Sequence, residues 1–305
     1  EWSKGLIKKI PKKGSLSNCD NWRGITLLSL ARKIICWTML KRLQSDIDKK
    51  IRKEQAGFRQ GRSCNEQIFT LRNIIEQSLE FNKSVLINNV NFKKAFVAVH
   101  HSTLWKVLEL YGIPDCYISI FKTLYENSSC CVKTESGFTD FFEIMSGVQQ
   151  GCVLSPFFFL IILDFILKTS LDKDNHGLLW SEKKLSDIDF ADDLALLATT
   201  CSEMQIMTNN VVEIAETFGL RVNIGKTKVQ KICSTEIESL KIKDEIIDEV
   251  ESFSYLGSIQ RSDGDSEIDT RSRLGKGAGV FKKLHKIWNT RKVSMDTNSD
   301  FSMLL

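Results

Sequence analysis

Proline is nearly absent, with 3 in 305 residues, and glycine is modest at 17. So few chain breakers exclude a collagenous repeat or a Pro-rich low-complexity stalk. Histidine is scarce as well, at 4, and the nine cysteines form no CxxC pair. Neither a zinc-ligand spacing nor a disulfide framework is legible, and the adjacent Cys130 and Cys131 are poorly placed to bridge each other. Scattered cysteines in a chain of this length suit reduced, buried thiols and predict an intracellular setting, with nucleus and cytoplasm both open. No run of about 18 uncharged apolar residues occurs. The longest candidate, Val153 to Leu167, contains Asp164, so no membrane span is expected. The chain opens on Glu1 without a signal-peptide pattern, which predicts a piece of a longer protein.

What is present is globular: 42% hydrophobic and 26% charged residues, enough apolar material for a core and too little net charge for a disordered chain. The formal charge of +4 hides an asymmetry. Residues 1–62 hold 16 Lys and Arg against 5 Asp and Glu, a net +11, leaving 26 against 33, or −7, for the remainder. A second basic block, Arg271 to Lys292, has eight Lys and Arg and no acid. Basic ends around an acidic middle suit a polyanion held beside a cation site, and equally suit two solvated helical faces.

Helical spacing runs through Leu27 to Ile51 and returns at Ile68, Leu71, Ile75 and Leu79. Ser84 to Val90 reads as a strand, followed by helices near Ser102 to Tyr111 and Tyr117 to Glu126. Cys130 to Lys133 and Phe141 to Met145 read as paired strands, and Leu154 to Leu167 as an apolar helix. Leu185 to Ala198 has two apolar arms around Asp192 and Asp193, a hairpin pattern. A helix over Ser202 to Phe218, short strands near Val222, Val229 and Tyr255, and a basic helix from Ile268 to Trp288 complete the pattern. It lacks a βαβα rhythm and predicts an α+β fold with a mostly antiparallel sheet and helical ends.

Asp192 and Asp193 are the sharpest chemical feature. Two adjacent carboxylates between apolar arms are costly to bury without a compensating cation, and at a hairpin tip they could hold a divalent metal through oxygen. A polar turn facing water is the competing reading for the pair taken alone. Seven ordered segments decide between them: NWRGITLLS (Asn21 to Ser29), EQAGFRQGRSC (Glu54 to Cys64), NFKKAFVAVH (Asn91 to His100), GVQQGCVLSP (Gly147 to Pro156), DFADDLAL (Asp189 to Leu196), GLRVNIGKTK (Gly219 to Lys228) and SYLGS (Ser254 to Ser258). Together they resemble the reverse transcriptases of non-LTR (LINE-type) retrotransposons, across almost all of Glu1 to Trp288.

The resemblance implies a right-hand polymerase: fingers over residues 1–80, an antiparallel-sheet palm over 81–235 with fingers-side helices inserted, and the palm end and a helical thumb over 236–305. It implies RNA-directed DNA synthesis from dNTPs on a DNA primer and an RNA template, with two Mg²⁺ ions clamping the attacking and leaving oxygens. Asp192 and Asp193 match the metal-ligand pair. Phe92, Phe96, Gln150 and Gly151 match positions around the incoming nucleotide, with Phe96 where the family screens the sugar 2′ position. Lys226 matches a lysine near the triphosphate, and Arg59 and Arg62 match cations on the fingers.

The chain also departs from that pattern. Asn91 stands where the resemblance implies the other metal-ligand aspartate, Val97 where it implies an acid, Gln149 where it implies a basic residue, and Asn89 where an apolar residue is expected. A neutral carbonyl in place of a carboxylate forfeits about 4 kcal/mol per unit-charge pair at an effective dielectric of about 20. Each ~1.4 kcal/mol in a barrier is tenfold in rate, so this copy is expected to be a crippled polymerase. A non-catalytic nucleic-acid-binding remnant of a retroelement is the alternative.

Overall fold

The computed structural model describes residues 2–12, 14–126, 128–171, 176–180 and 183–285. Its N-terminal sheet begins with β1 (Lys4–Pro11) and β2 (Trp22–Leu27), an antiparallel pair. The expected helix over Leu27 to Ile51 is shorter: α1 spans Leu30–Asp48, because residues 22–27 are drawn into β2 and Ser29 caps the helix by accepting from the Arg32 N–H. α2 (Cys64–Glu80) starts at a capping box, with Ser63 and Glu66 each satisfying the other's backbone N–H.

β3 (Val85–Val90) and β4 (Phe92–Lys93) lead into α3 (Ala95–Ala98), α4 (His101–Leu110) and α5 (Asp115–Tyr125). β5 (Ser129–Thr134) then returns to the N-terminal sheet. It runs parallel to β1 and carries two short partners, β6 (Gly137–Phe138) and β7 (Phe142–Glu143). The helical N-terminal end expected from the sequence is therefore a sheet.

α6 (Leu154–Leu171) is apolar around its whole circumference and long enough to match a membrane span. It lies inside the protein, with Phe158, Phe159, Ile161, Ile162 and Leu163 fully buried, as a helix without a polar face must. A hairpin of β8 (Leu178–Trp180) and β9 (Lys183–Leu185) precedes β10 (Asp187–Phe190) and β11 (Asp193–Ala198). α7 (Cys201–Thr217), β12 (Arg221–Val222) and β13 (Lys228–Ile232) follow. Next come β14 (Lys241–Ile242), β15 (Glu245–Ile246) and β16 (Asp248–Glu249), then β17 (Ser252–Tyr255) paired with β18 (Ser258–Arg261), and last α8 (Glu267–Lys283). The part of the expected basic helix beyond residue 285 lies outside the described residues.

The central sheet has the order β10-β11-β3-β13-β16 and is antiparallel except for the β13–β16 pair. Strand alternation sends Leu86, Val90, Leu194 and Leu196 to one face, against a core that includes α6 and α7. Val85, Ile87, Ala195 and Leu197 point the other way, onto Leu71, Ile74 and Ile75 of α2 and Tyr255 of β17. With both faces covered, the ends of the strands are the part of this sheet left open to a ligand.

Candidate polymerase site

The open end is where the chemistry gathers. Phe190 pairs with Asp193, so the β10–β11 hairpin turns on Ala191 and Asp192 alone. Ala191 takes a left-handed conformation at φ 56°, a strained choice for a residue with a Cβ. Asp192 and Asp193 both reach solvent. Shielding above the sheet, and then the neighbouring Asp192 carboxylate, push Asp193 up to about 6.

β3 supplies the opposing edge. Leu194 pairs with Val90, and one step further along the same antiparallel register sets Asn91 opposite Asp193 on the same face. Asn91 is fixed through its backbone: Asn223 N–H donates to its carbonyl at 2.6 Å, and its N–H donates to Thr227 Oγ1 at 3.2 Å. Those partners belong to the GLRVNIGKTK segment, so the exposed Lys226 is brought beside the end of β3, one residue from Thr227. Sequence spacing alone does not bring these three segments together; the strand register does.

The segments around the nucleotide positions are locally over-determined. Phe96 is half-buried with one ring face stacked on Phe159, centroids 4.5 Å apart. Phe92 is only 7% exposed and packs in the main core, so its side chain serves packing. Gln150 accepts from the Thr26 N–H at 2.6 Å, and Gly151, at φ +117°, lies so close to β2 that a Cβ would sit 2.2 Å from the Thr26 carbonyl oxygen. Val97 is exposed, and Gln149 is buried with its Nε2 donating to Ser128 Oγ.

The two arginines separate. Arg59 is 7% exposed on its side chain, and its guanidinium is committed to Asp48 Oδ1 at 2.6 Å and to the carbonyls of Arg52, Gln55 and Asp48. It ties the loop after α1 to that helix's end. Arg62 is exposed and is the member of the pair available to a phosphate.

A buried ionic cluster beneath the hairpin was not legible in the sequence. Arg52 Nη1 meets Asp187 at 2.9 Å and Nη2 meets Asp189 at 2.6 Å, while its backbone N–H donates to Asp164 Oδ1 at 2.9 Å. Tyr111 donates to the other Asp164 oxygen at 2.5 Å. All three carboxylates are fully buried. Burial, and then the adjacent Asp187, raise Asp189 well above the usual carboxylate range against the pull of Arg52, which relieves the excess of three acids over one guanidinium. Acids at i and i+2 in an apolar strand, with a third in an apolar helix, were the available signal that a buried cation must exist.

A reverse transcriptase (RNA-dependent DNA polymerase) family profile matches residues 10–259. The chain belongs to the reverse transcriptase family. Among curated relatives it is 26% identical over 270 residues to the Pol polyprotein of the type-1 retrotransposable element R2 of Popillia japonica, covering 84% of this chain and 37% of that one. It is 26% identical to the RNA-directed DNA polymerase from the mobile element jockey of Drosophila melanogaster, over 72% of this chain and 23% of that protein. The Transposon TX1 149 kDa protein of Xenopus laevis is 26% identical over 73% of this chain and 17% of its own length. The domain thus spans 17–37% of these relatives, and the non-LTR resemblance read from the seven segments holds. Apo telomerase from Candida tropicalis, truncated from its C-terminal domain, superposes with a TM-score of 0.62 at 16% identity, over 87% of this chain and 54% of that one, a likeness of fold.

In this reverse transcriptase domain, groups of three or more His, Cys, Asp or Glu that could hold a metal are absent among the described residues. Asp192 and Asp193 fit a divalent cation as oxygen donors. Asn91, beside them at the end of β3, offers at most an uncharged side-chain oxygen to such a cation.

Proposed function

We propose that this is the polymerase domain of a non-LTR retroelement whose nucleotidyl transfer is impaired at Asn91. The observation that supports this reading is the register of β3 against β11, whose last pair, Val90 with Leu194, leaves Asn91 one step on, beside Asp193 at the mouth of the site. Divalent metal, when bound, supplies Lewis-acid activation of the attacking 3′-hydroxyl and neutralises the departing pyrophosphate. Asp192 and Asp193 hold the cation, and Asn91 contributes a weaker, uncharged donor. Phe96 closes off the sugar 2′ side, the Gln150–Gly151 loop lies against the incoming base pair, and Lys226 gives a proton to the pyrophosphate oxygen.

RNA is held at the basic ends. β1 and β2 expose Lys4, Lys8, Lys9 and Arg23, and Arg62 joins them from the fingers loop. Such contacts act through phosphate charge and weaken with salt. Family membership supports RNA as template; the DNA primer and dNTPs belong to the proposal. The test is primer extension on an RNA template with Mg²⁺, comparing the unmodified domain with Asn91→Asp. Extension only by the variant supports the reading. Extension by the unmodified domain at a comparable rate overturns the impairment, and no extension by either, with RNA binding intact, favours a nucleic-acid-binding role without catalysis.

A further inference from the structure

The two-residue turn that carries Asp192 is gripped from outside its own sheet. Residues 54–56 add to the free edge of β10: Gln55 bridges Asp189 in parallel, the Ala56 N–H donates to the Asp189 carbonyl at 2.9 Å, and the Asp189 N–H donates to Glu54 at 3.3 Å. Gln67 of α2 ties the same two elements, its Nε2 donating to the Glu54 carbonyl at 2.8 Å and the Asp189 carbonyl at 3.0 Å.

At the centre of this added segment sits Gln55, fully buried. Its Oε1 accepts from two backbone N–H groups, Ala191 and Gly57, each at 2.8 Å, and its Nε2 faces the Ala191 carbonyl at 3.4 Å. One side-chain amide therefore reads both polar groups of the left-handed residue that precedes Asp192. Gly57 completes the grip by contact, since a Cβ there would lie 2.1 Å from the Ala191 nitrogen. A strained turn persists only where its surroundings over-determine it, and here the surroundings are Gln55 and Gly57.

We propose that Gln55 is a positioning residue for the polymerase reaction: by holding Ala191 in its left-handed conformation it aims the Asp192 and Asp193 carboxylates at the mouth of the sheet. It touches no reacting atom and acts only through the turn. This rests on the reading of the acid pair as the cation site. The sequence places Gln55 136 residues from Ala191.

The test uses the full chain carrying Asn91→Asp, so that three acids face the site, with Gln55→Leu, Gln55→Glu and, as a control of matched stability loss far from the turn, Phe121→Leu. Two quantities are read: exchange of the Ala191 amide hydrogen, and affinity for Mn²⁺ by paramagnetic resonance. Gln55→Leu is expected to speed Ala191 exchange at least about tenfold beyond the control, because the amide loses its buried acceptor. It is also expected to weaken Mn²⁺ binding by about 10–100-fold, the usual effect of losing an outer partner of a metal site. Gln55→Glu, which keeps an acceptor oxygen for both N–H groups, is expected to restore most of both. Ala191 exchange and Mn²⁺ affinity in Gln55→Leu that match the Phe121→Leu control would overturn the proposal, as would an affinity lost equally in the control. If Ala191 exchange responds as expected but no form of the chain binds Mn²⁺, the grip stands and the cation-site reading of the acid pair fails.

Discussion

β3 and β11 lie side by side and lead to Asn91 and Asp193 at the candidate cation site, yet they are built differently. Beyond Asp193, β11 is Leu-Ala-Leu-Leu-Ala with every residue 1% exposed or less. β3 runs Val-Leu-Ile-Asn-Asn-Val before Asn91. Asn88 is fully buried, with one hydrogen bond to Thr208 and an unpartnered Oδ1. Asn89 has neither amide atom partnered. Each buried unsatisfied polar group costs about 1–3 kcal/mol, so β3 is held in register by its neighbours despite its own composition. The difference teaches that packing can absorb amides within a strand, whereas the metal chemistry we propose at the end of that strand does not.

The largest effect comes from repairing the mouth of β3. Asn91→Asp restores a full charge facing the cation, worth about 4 kcal/mol per unit-charge pair at an effective dielectric of about 20. At ~1.4 kcal/mol per tenfold, the primer-extension rate should rise roughly a thousandfold or more. A rise below tenfold would mean that β3 is not the limiting half of the site.

The second prediction breaks the well-built half. Replacing Arg52 by Met removes the only cation that pairs with Asp164, Asp187 and Asp189 among the described residues. Stranding buried carboxylates costs about 3–5 kcal/mol, read as a loss of unfolding free energy in denaturant. Substituting Met for Arg52 together with Asn for both Asp187 and Asp189 should recover a good part of it. Equal instability of the single and triple variants would show that the cluster's charge balance is not what supports the hairpin.

The same contrast explains what was legible. The hairpin, α2, α6 and α7 announce themselves through local apolar periodicity, and the acid pair through its motif. β1 does not: only Gly5 is buried along Lys4–Pro11, so no alternation marks it, and one of its partners, β5, is more than 120 residues away. In residues 52–59 the motif is legible but the partners of its polar side chains are not. Arg52, Gln55 and Arg59 look like surface polarity, and their partners arrive through tertiary packing: Asp164, Asp187 and Asp189 for Arg52, the Ala191 backbone for Gln55, and Asp48 for Arg59. Arg59, read from the sequence as a phosphate contact, is spent on Asp48 and three carbonyls for the same reason. Polar residues reveal whether they serve ligand or scaffold only once their partners are known.

A third, smaller effect sharpens the comparison by making β3 more like β11. Asn89 pairs with Ala195 and Lys228 and faces the side of the sheet that carries Ile87 and Val85. Asn89→Val removes two unpartnered amide atoms and adds a β-branched residue to a strand. The gain in unfolding free energy should be about 1–3 kcal/mol, without restoring primer extension while Asn91 remains. A gain in activity from this change alone would tie the site's weakness to strand stability and not to missing charge.

The smallest effect is read in pH and concerns the intact half. Asp193 is pushed up to about 6 by its shielding and by Asp192, against an ordinary aspartate near 3.9. A cation binds the ionised form, so affinity is full above that value and declines as pH falls through it. From pH 7 to pH 5 the ionised fraction drops roughly tenfold for a group titrating near 6, about 1.4 kcal/mol of binding free energy. Mn²⁺ affinity should follow that curve in both the unmodified domain and Asn91→Asp, with the variant displaced to tighter binding. Asp193→Asn should flatten the curve around pH 6 while leaving weaker binding through Asp192. A decline centred near pH 4 in the unmodified domain would place Asp193 in open water and remove the shielding that distinguishes it from a polar turn.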